Sequence, residues 1–188
     1  MTENLSTEST IGENVKYAKF WNRAGAYILD GVIVGAFSFI INYINIANFK
    51  SFLIYLPIAI IGIFYKPFME SKYGATFGKM ALNLKVTDQN FNQINFWQSL
   101  LRSIILVFPA ILLVPIYYLA FNNSDLAEFT KLLEFVQGFA AEYPIQSWIS
   151  NLSFLIIVID IIVLLTDKTK TQRSLHDQIA KTYVIVKR

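Results

Sequence analysis

Two aspartates, Asp30 and Asp160, lie inside long apolar runs. An ionised carboxylate buried in hydrocarbon costs on the order of several kcal/mol. Such a residue is protonated, paired with a cation or an arginine, or used to move an ion. Two arginines are candidate partners: Arg23, seven residues before Asp30, and Arg102, at the start of a third apolar run. Seven residues make two helical turns, about 10.5 Å. That is too far for a tight Arg23–Asp30 pair, so a bridge through water or a third residue is expected there, and Arg102 is a candidate partner for Asp30. Asp160 precedes Asp167 by seven residues, as Asp30 follows Arg23. On helices of opposite direction the two acids would reach a common depth, roughly 10 Å inside the boundary. Two carboxylates at one level can hold a cation together or share a proton. The plainer reading of Asp160 is a structural acid bonded to a neighbouring helix. The one histidine, His176, lies beside Asp177 and outside the apolar runs, where a helix-end role is the simpler reading. There is no cysteine, which excludes disulfides, thiolate metal sites and cysteine catalysis. No nucleophile–base pair or metal-ligand cluster stands out. No enzymatic activity and no cofactor are therefore expected, and a metal is left unassigned.

These residues need a membrane to make sense of their placement. Of 188 residues, 55% are hydrophobic and only 15% are charged, and the mean hydropathy is +0.47. A soluble domain carries about 25% charged residues. Spanning takes about 20 apolar residues, and spans are expected over 24–48, 51–66, 102–122 and 146–166. The second is short, with Lys50 and Lys66 snorkelling from its ends; its alternative is a re-entrant partner of span one. Pro109 and Pro115 should bend span three.

Span one is two-faced. With Asp30 at 0°, the residues Arg23, Tyr27, Asn45, Ser38, Gly31, Asn42 and Gly35 all fall on one side, within about 140°. Gly31 and Gly35 form a GxxxG pair that would admit a neighbouring helix.

The basic residues set the orientation. The segment up to Arg23 holds three, the segment from Lys66 to Arg102 five and the C-terminal tail six, against one each, Lys50 and Lys131, in the other two connections. By the positive-inside rule both termini and the middle loop are cytoplasmic. The placement of these charges also accounts for the net charge of +3 without nucleic acid as a partner. Residues 1–15 are polar and acidic, lack a signal-peptide pattern and read as a disordered cytoplasmic tail.

Outside the spans, Leu82, Leu84 and Val86 alternate with polar residues, and "TYVIVKR" is a second β-prone run. Two lone strands would leave open edges, so they are expected to pair beneath the bundle, with "FNQIN" as a further returning strand. Leu126, Phe129, Leu132, Leu133, Val136, Phe139 and Ala140 share an arc of about 140° at helical spacing. The expected fold is thus an all-α membrane protein: a four-transmembrane-helix bundle with a small cytoplasmic β element and an amphipathic helix in the second outer loop.

Three stretches, "RAGAYILDGVI", "GATFGKMALNLKV" and "SLHDQIAKTYVIV", resemble the signature blocks of the RDD family, small bacterial membrane proteins named for one arginine and two aspartates. The blocks occur in the family's order, over most of the chain from Tyr17, which makes residues 16–188 an RDD-type membrane domain. The resemblance maps the family's arginine onto Arg23, its aspartates onto Asp30 and Asp177, and its middle-block glycines and basic residue onto Gly74, Gly78 and Lys79. Asn83 departs from the pattern where a glycine is common, which bears on the local turn. It implies a bacterial plasma-membrane protein for which transport, including cation/proton exchange, has been suggested.

Arg23 and Asp177 should both lie at the cytoplasmic surface, where a bidentate contact is favoured; the plainer reading is that they lock the C-terminal segment under the bundle. Two functions are expected from different classes. One is translocation of a cation, proton or small solute by buried acids (Arg23, Asp30, Asp177, Asp160 and Arg102 being the candidate residues), with a homo-oligomer supplying eight helices. The other is a scaffold or accessory subunit that recruits a protein partner at its cytoplasmic face.

Overall fold

The computed structural model of the chain describes residues 15–169 and 171–187. The tail expected over 1–15 lies, save for Val15, outside them.

Among the described residues, four helices are long and apolar enough to cross a membrane. Helix α1 runs Phe20–Ile44 and continues as one π-helical stretch, Asn45–Phe49. Lys50, in the left-handed region at φ 47°, ends it. The tight turn into α2 is held by the fully buried Asn45. Its side chain donates to the Ser51 carbonyl at 3.0 Å and accepts from the Ser51 N–H at 2.9 Å.

Helix α2 spans Phe52–Tyr73, 22 residues with Pro57 and Pro67 inside it. This corrects the short span expected over 51–66. The helix does not stop at Lys66 but carries Lys66, Glu70 and Lys72 on for two further turns. Its length is about 33 Å at 1.5 Å per residue, enough to cross. Gly74 closes it at φ 74°, a conformation that suits glycine.

A short helix, α3 (Phe77–Ala81), then turns back under α1. The approach is so close that a Cβ on Gly78 would collide with the carbonyl oxygen of Ala26. The close approach expected at Gly31 and Gly35 is absent within this chain, since nothing stands within 4 Å of either position. Asn83 follows at φ 53°. The turn demands a left-handed residue, and asparagine is the non-glycine residue that tolerates one best.

Strand β1 (Leu84–Thr87) pairs antiparallel with β2 (Tyr183–Val186), Leu84 opposite Val186 and Thr87 opposite Tyr183. The expected return strand at "FNQIN" is reduced to a single bridge, Thr87 to Gln93. Tyr17 bridges to Ile185 and so covers the other side of β2. Ala18, Ala26, Leu84, Val86, Ile94 and Val184 make the small core at this end.

Helix α4 (Phe96–Phe121) opens on a capping box in which Asn95 accepts from the Gln98 N–H at 2.8 Å and Gln98 accepts from the Asn95 N–H at 3.0 Å. It is the central helix, packed on α2 along one side and on α7 (Ile145–Thr166) along the other. Between α4 and α7 the chain forms two helices, α5 (Ser124–Ala127) and α6 (Leu132–Glu142). Leu126, Phe135 and Phe139 are buried there against Ile46 and Ala120, while Leu133 and Val136 stay exposed. The chain ends through α8 (Leu175–Ile179) into β2.

Candidate functional site

Beneath the four spans, at the sheet end, a charged network is assembled around Arg102. Six residues beyond the start of α4, its side chain is only 1% exposed. Its Nε lies 3.1 Å from Glu70 Oε2 and its Nη1 lies 2.7 Å from Asp177 Oδ1. These are close ion contacts rather than aligned hydrogen bonds. Nη1 also donates to Thr182 Oγ1 at 2.8 Å, and Nη2 lies 3.3 Å from His176 Nε2. Glu70 is paired a second time, by Lys79 of α3. Asp177 is paired a second time, by Arg23 of α1. The Arg23 Nε completes the clamp by donating to the Ala18 carbonyl at 3.0 Å. Elements far apart in sequence thus meet through planar guanidinium forks, a geometry lysine could not reproduce. The expected Arg23–Asp177 pair is present.

Electrostatics follow from that packing. Burial alone would raise the Asp177 carboxyl, but Arg102 and then Arg23 hold it well below the usual carboxylate range. Burial pushes the Lys79 ammonium down to about 8 against the pull of Glu70. For His176, burial and the nearby Lys66 charge push the imidazole down to about 4, despite its carboxylate neighbours. His176 is therefore neutral near pH 7. With Nδ1 protonated it donates to Asp160, 2.8 and 2.9 Å from the two oxygens, and Nε2 is free to accept from Arg102. Its backbone N–H also reaches Asp160 Oδ1 at 3.1 Å.

Asp30 answers to other partners than those expected. It accepts from Tyr65 Oη at 2.8 Å, Thr76 Oγ1 at 2.6 Å and the Gly78 N–H at 2.8 Å. Arg102 is not among them; its charge is directed to Glu70 and Asp177. No side chain bridges Asp30 to Arg23 among the described residues. Asp30 fastens α3 to α1, and the glycine at 78 lets the backbone N–H come within reach. Among the described residues, Asp30 and Asp160 share no hydrogen-bond partner. Ser153, two helical turns before Asp160, donates to the Ile149 carbonyl at 3.1 Å.

Both acids nevertheless border one cavity of about 510 Å³ between the spans, lined also by Arg23, Tyr65, Lys66 and His176. Glu70 and the Asp160–His176 contact are not evident from the sequence, and Lys66, expected to snorkel from the end of span two, lies inside α2 instead. The i, i+4 spacing of Lys66 and Glu70 continues the helix and was the available signal.

No curated protein and no solved structure matches the chain. The family model described as RDD family matches residues 17–181. That range holds all three signature blocks up to Lys181 and every charged member of the network around Arg102. The chain belongs to the RDD family.

Proposed function

We propose that this protein moves a proton, a cation or another small solute across a bacterial plasma membrane, with both termini and the two-stranded sheet on the cytoplasmic side. The observation that carries the reading is the cavity between the spans, bordered by Asp30 and Asp160. Soluble-style packing would have filled it, and hydrocarbon would not tolerate two carboxylates without a purpose. Of the two, Asp160 is the more suitable proton carrier, because its partner is a titratable imidazole, whereas Asp30 is held by two hydroxyls and an amide. The orientation rests on the distribution of basic residues. In it, α6 lies at the outer leaflet, with Leu133 and Val136 turned to lipid. A homo-oligomer would place two cavities side by side. The reading calls for no covalent chemistry and no cofactor.

Flux into liposomes tests it. The purified chain should dissipate an imposed proton or cation gradient, and Asp160→Asn should abolish this while assembling normally. C-terminal reporter fusions should read as cytoplasmic. An unaffected Asp160→Asn rate would remove the acid from the pathway. No flux at all, with a protein partner co-purifying, would favour a second reading as an accessory subunit. That alternative is supported by the rigid attachment of β2 and α8 beneath the bundle through Asp177, which would present a fixed cytoplasmic face.

A further inference from the structure

We propose that the cavity holds the phosphate head of an anionic phospholipid, bound by Lys66 and Arg23, with an acyl chain leaving between α1 and α7. The starting point is an imbalance of hydrogen-bond demand. Lys66 lines the cavity, and its ammonium has no hydrogen-bond or ion-pair partner among the described residues. Arg23 uses Nη1 on Asp177 and Nε on Ala18, yet its Nη2 is buried without an acceptor. The Arg23 side chain is only 9% exposed. The acids nearby are each ion-paired or hydrogen-bonded, although Glu70 Oε2 and Asp177 Oδ1 meet Arg102 in ion contacts without aligned hydrogen bonds. Glu70 is held by Lys79 and Arg102, Asp177 by Arg23 and Arg102, Asp160 by His176, and Asp30 by its three donors. What these two cations lack is an acceptor, and one that can bridge a guanidinium edge and an ammonium lining the same cavity is a phosphate.

The walls say which phosphate. Ile28, Leu106, Val107, Ile157 and Ile161 line the space above the two cations. A free anion gains nothing from them, whereas an acyl chain does. The volume, about 510 Å³, suits a small ligand or the head-group end of a larger one. Access is lateral: α1 leans on α2 and α3, and α7 on α4 and α8, but α1 and α7 do not pack along one another. Depth agrees as well. Arg23 sits in the first turn of α1, and Lys66 lies seven residues, about 10.5 Å, from the end of α2. Arg23 therefore marks the boundary end of the cavity, and Lys66 reaches towards it from about two turns inside α2, as a snorkelling lysine does. This inference does not depend on transport, since a lipid bound here could be resident or carried.

The test uses the full chain, purified in detergent, stripped of lipid and titrated with phosphatidylglycerol or phosphatidylcholine under native mass spectrometry. One phosphatidylglycerol should bind with roughly tenfold or greater preference, the worth of one charge-assisted contact. Lys66→Met should erase the preference and Lys66→Arg should keep it. Should Lys66→Met fail to assemble, Ile161→Trp, which fills the acyl path and leaves every charge in place, should lower binding of the lipid instead. The proposal is overturned if Lys66→Met and Ile161→Trp bind phosphatidylglycerol like the parent, or if the two lipids bind equally. It is also overturned if inorganic phosphate at lipid-equivalent concentration displaces the lipid, which would mark a free-anion site.

Discussion

Arg102→Met removes the guanidinium on which Glu70, Asp177, Thr182 and His176 all converge. The methionine fills much of the same volume, so the cost is electrostatic rather than a cavity. Each acid keeps one cation, Glu70 retaining Lys79 and Asp177 retaining Arg23, but two carboxylates at 0% exposure lose their second partner. Breaking a buried pair from one side costs about 3–5 kcal/mol. For a chain of this size that corresponds to a fall in Tm of roughly 10 °C. Arg102→Lys should recover less than half of the loss, because one ammonium cannot face Glu70 and Asp177 together. The assay is thermal unfolding in detergent followed by tryptophan fluorescence. A double-mutant cycle with Asp177→Asn should show coupling of about 1 kcal/mol or more. If Arg102→Met melts with the parent, or the cycle is additive, the network does not hold the C-terminal segment in place and the reasoning fails.

Three further outcomes are expected. Gly78→Ala should destabilise by about 1–3 kcal/mol through overpacking against Ala26, while Gly31→Ala, with open space around it, should change melting little. His176, held at about 4 in the folded chain against an ordinary value of 6.5, favours folding while neutral. Its contribution is complete above pH 6.5 and is lost as pH falls towards 4, by about 3 kcal/mol in all; Gln at 176 should flatten that slope in pH-dependent melts. Asn83→Gly should be neutral or slightly stabilising, and Asn83→Val should cost about 1–2 kcal/mol, read by the same melting assay.

Much of this architecture was legible because lipid imposes a coarse rule. Long apolar runs, broken at most by a single aspartate, mark spans one, three and four, and the alternation at Leu82–Val86 and the β-prone "TYVIV" mark two strands that had nowhere to go but together. The same rule misleads at Lys66, where charge suggests a membrane boundary although α2 runs on to Glu70, whose charge Lys79 and Arg102 balance. Asp30 was traced to its correct face of α1. Its partners could not be read, because they come from a loop that folds back through Gly74 and Gly78, and helical spacing carries no information about a neighbouring loop. The Arg23–Asp177 pair was reached from topology and family resemblance together. The contact of His176 with Asp160 was not, since it depends on where α8 docks.

Asp177 is encoded beyond all four spans, whereas the two guanidiniums it neutralises belong to the first and third. During synthesis, Arg23 and Arg102 therefore enter the bilayer boundary before their shared counter-ion exists. Until the ribosome has released α8, Arg23 lacks its carboxylate, Arg102 has only Glu70, and β1 lacks its partner β2. Closure is thus a late event in biogenesis: a nascent chain interrupted before Asp177 leaves Arg23 without its carboxylate and β1 with an open edge.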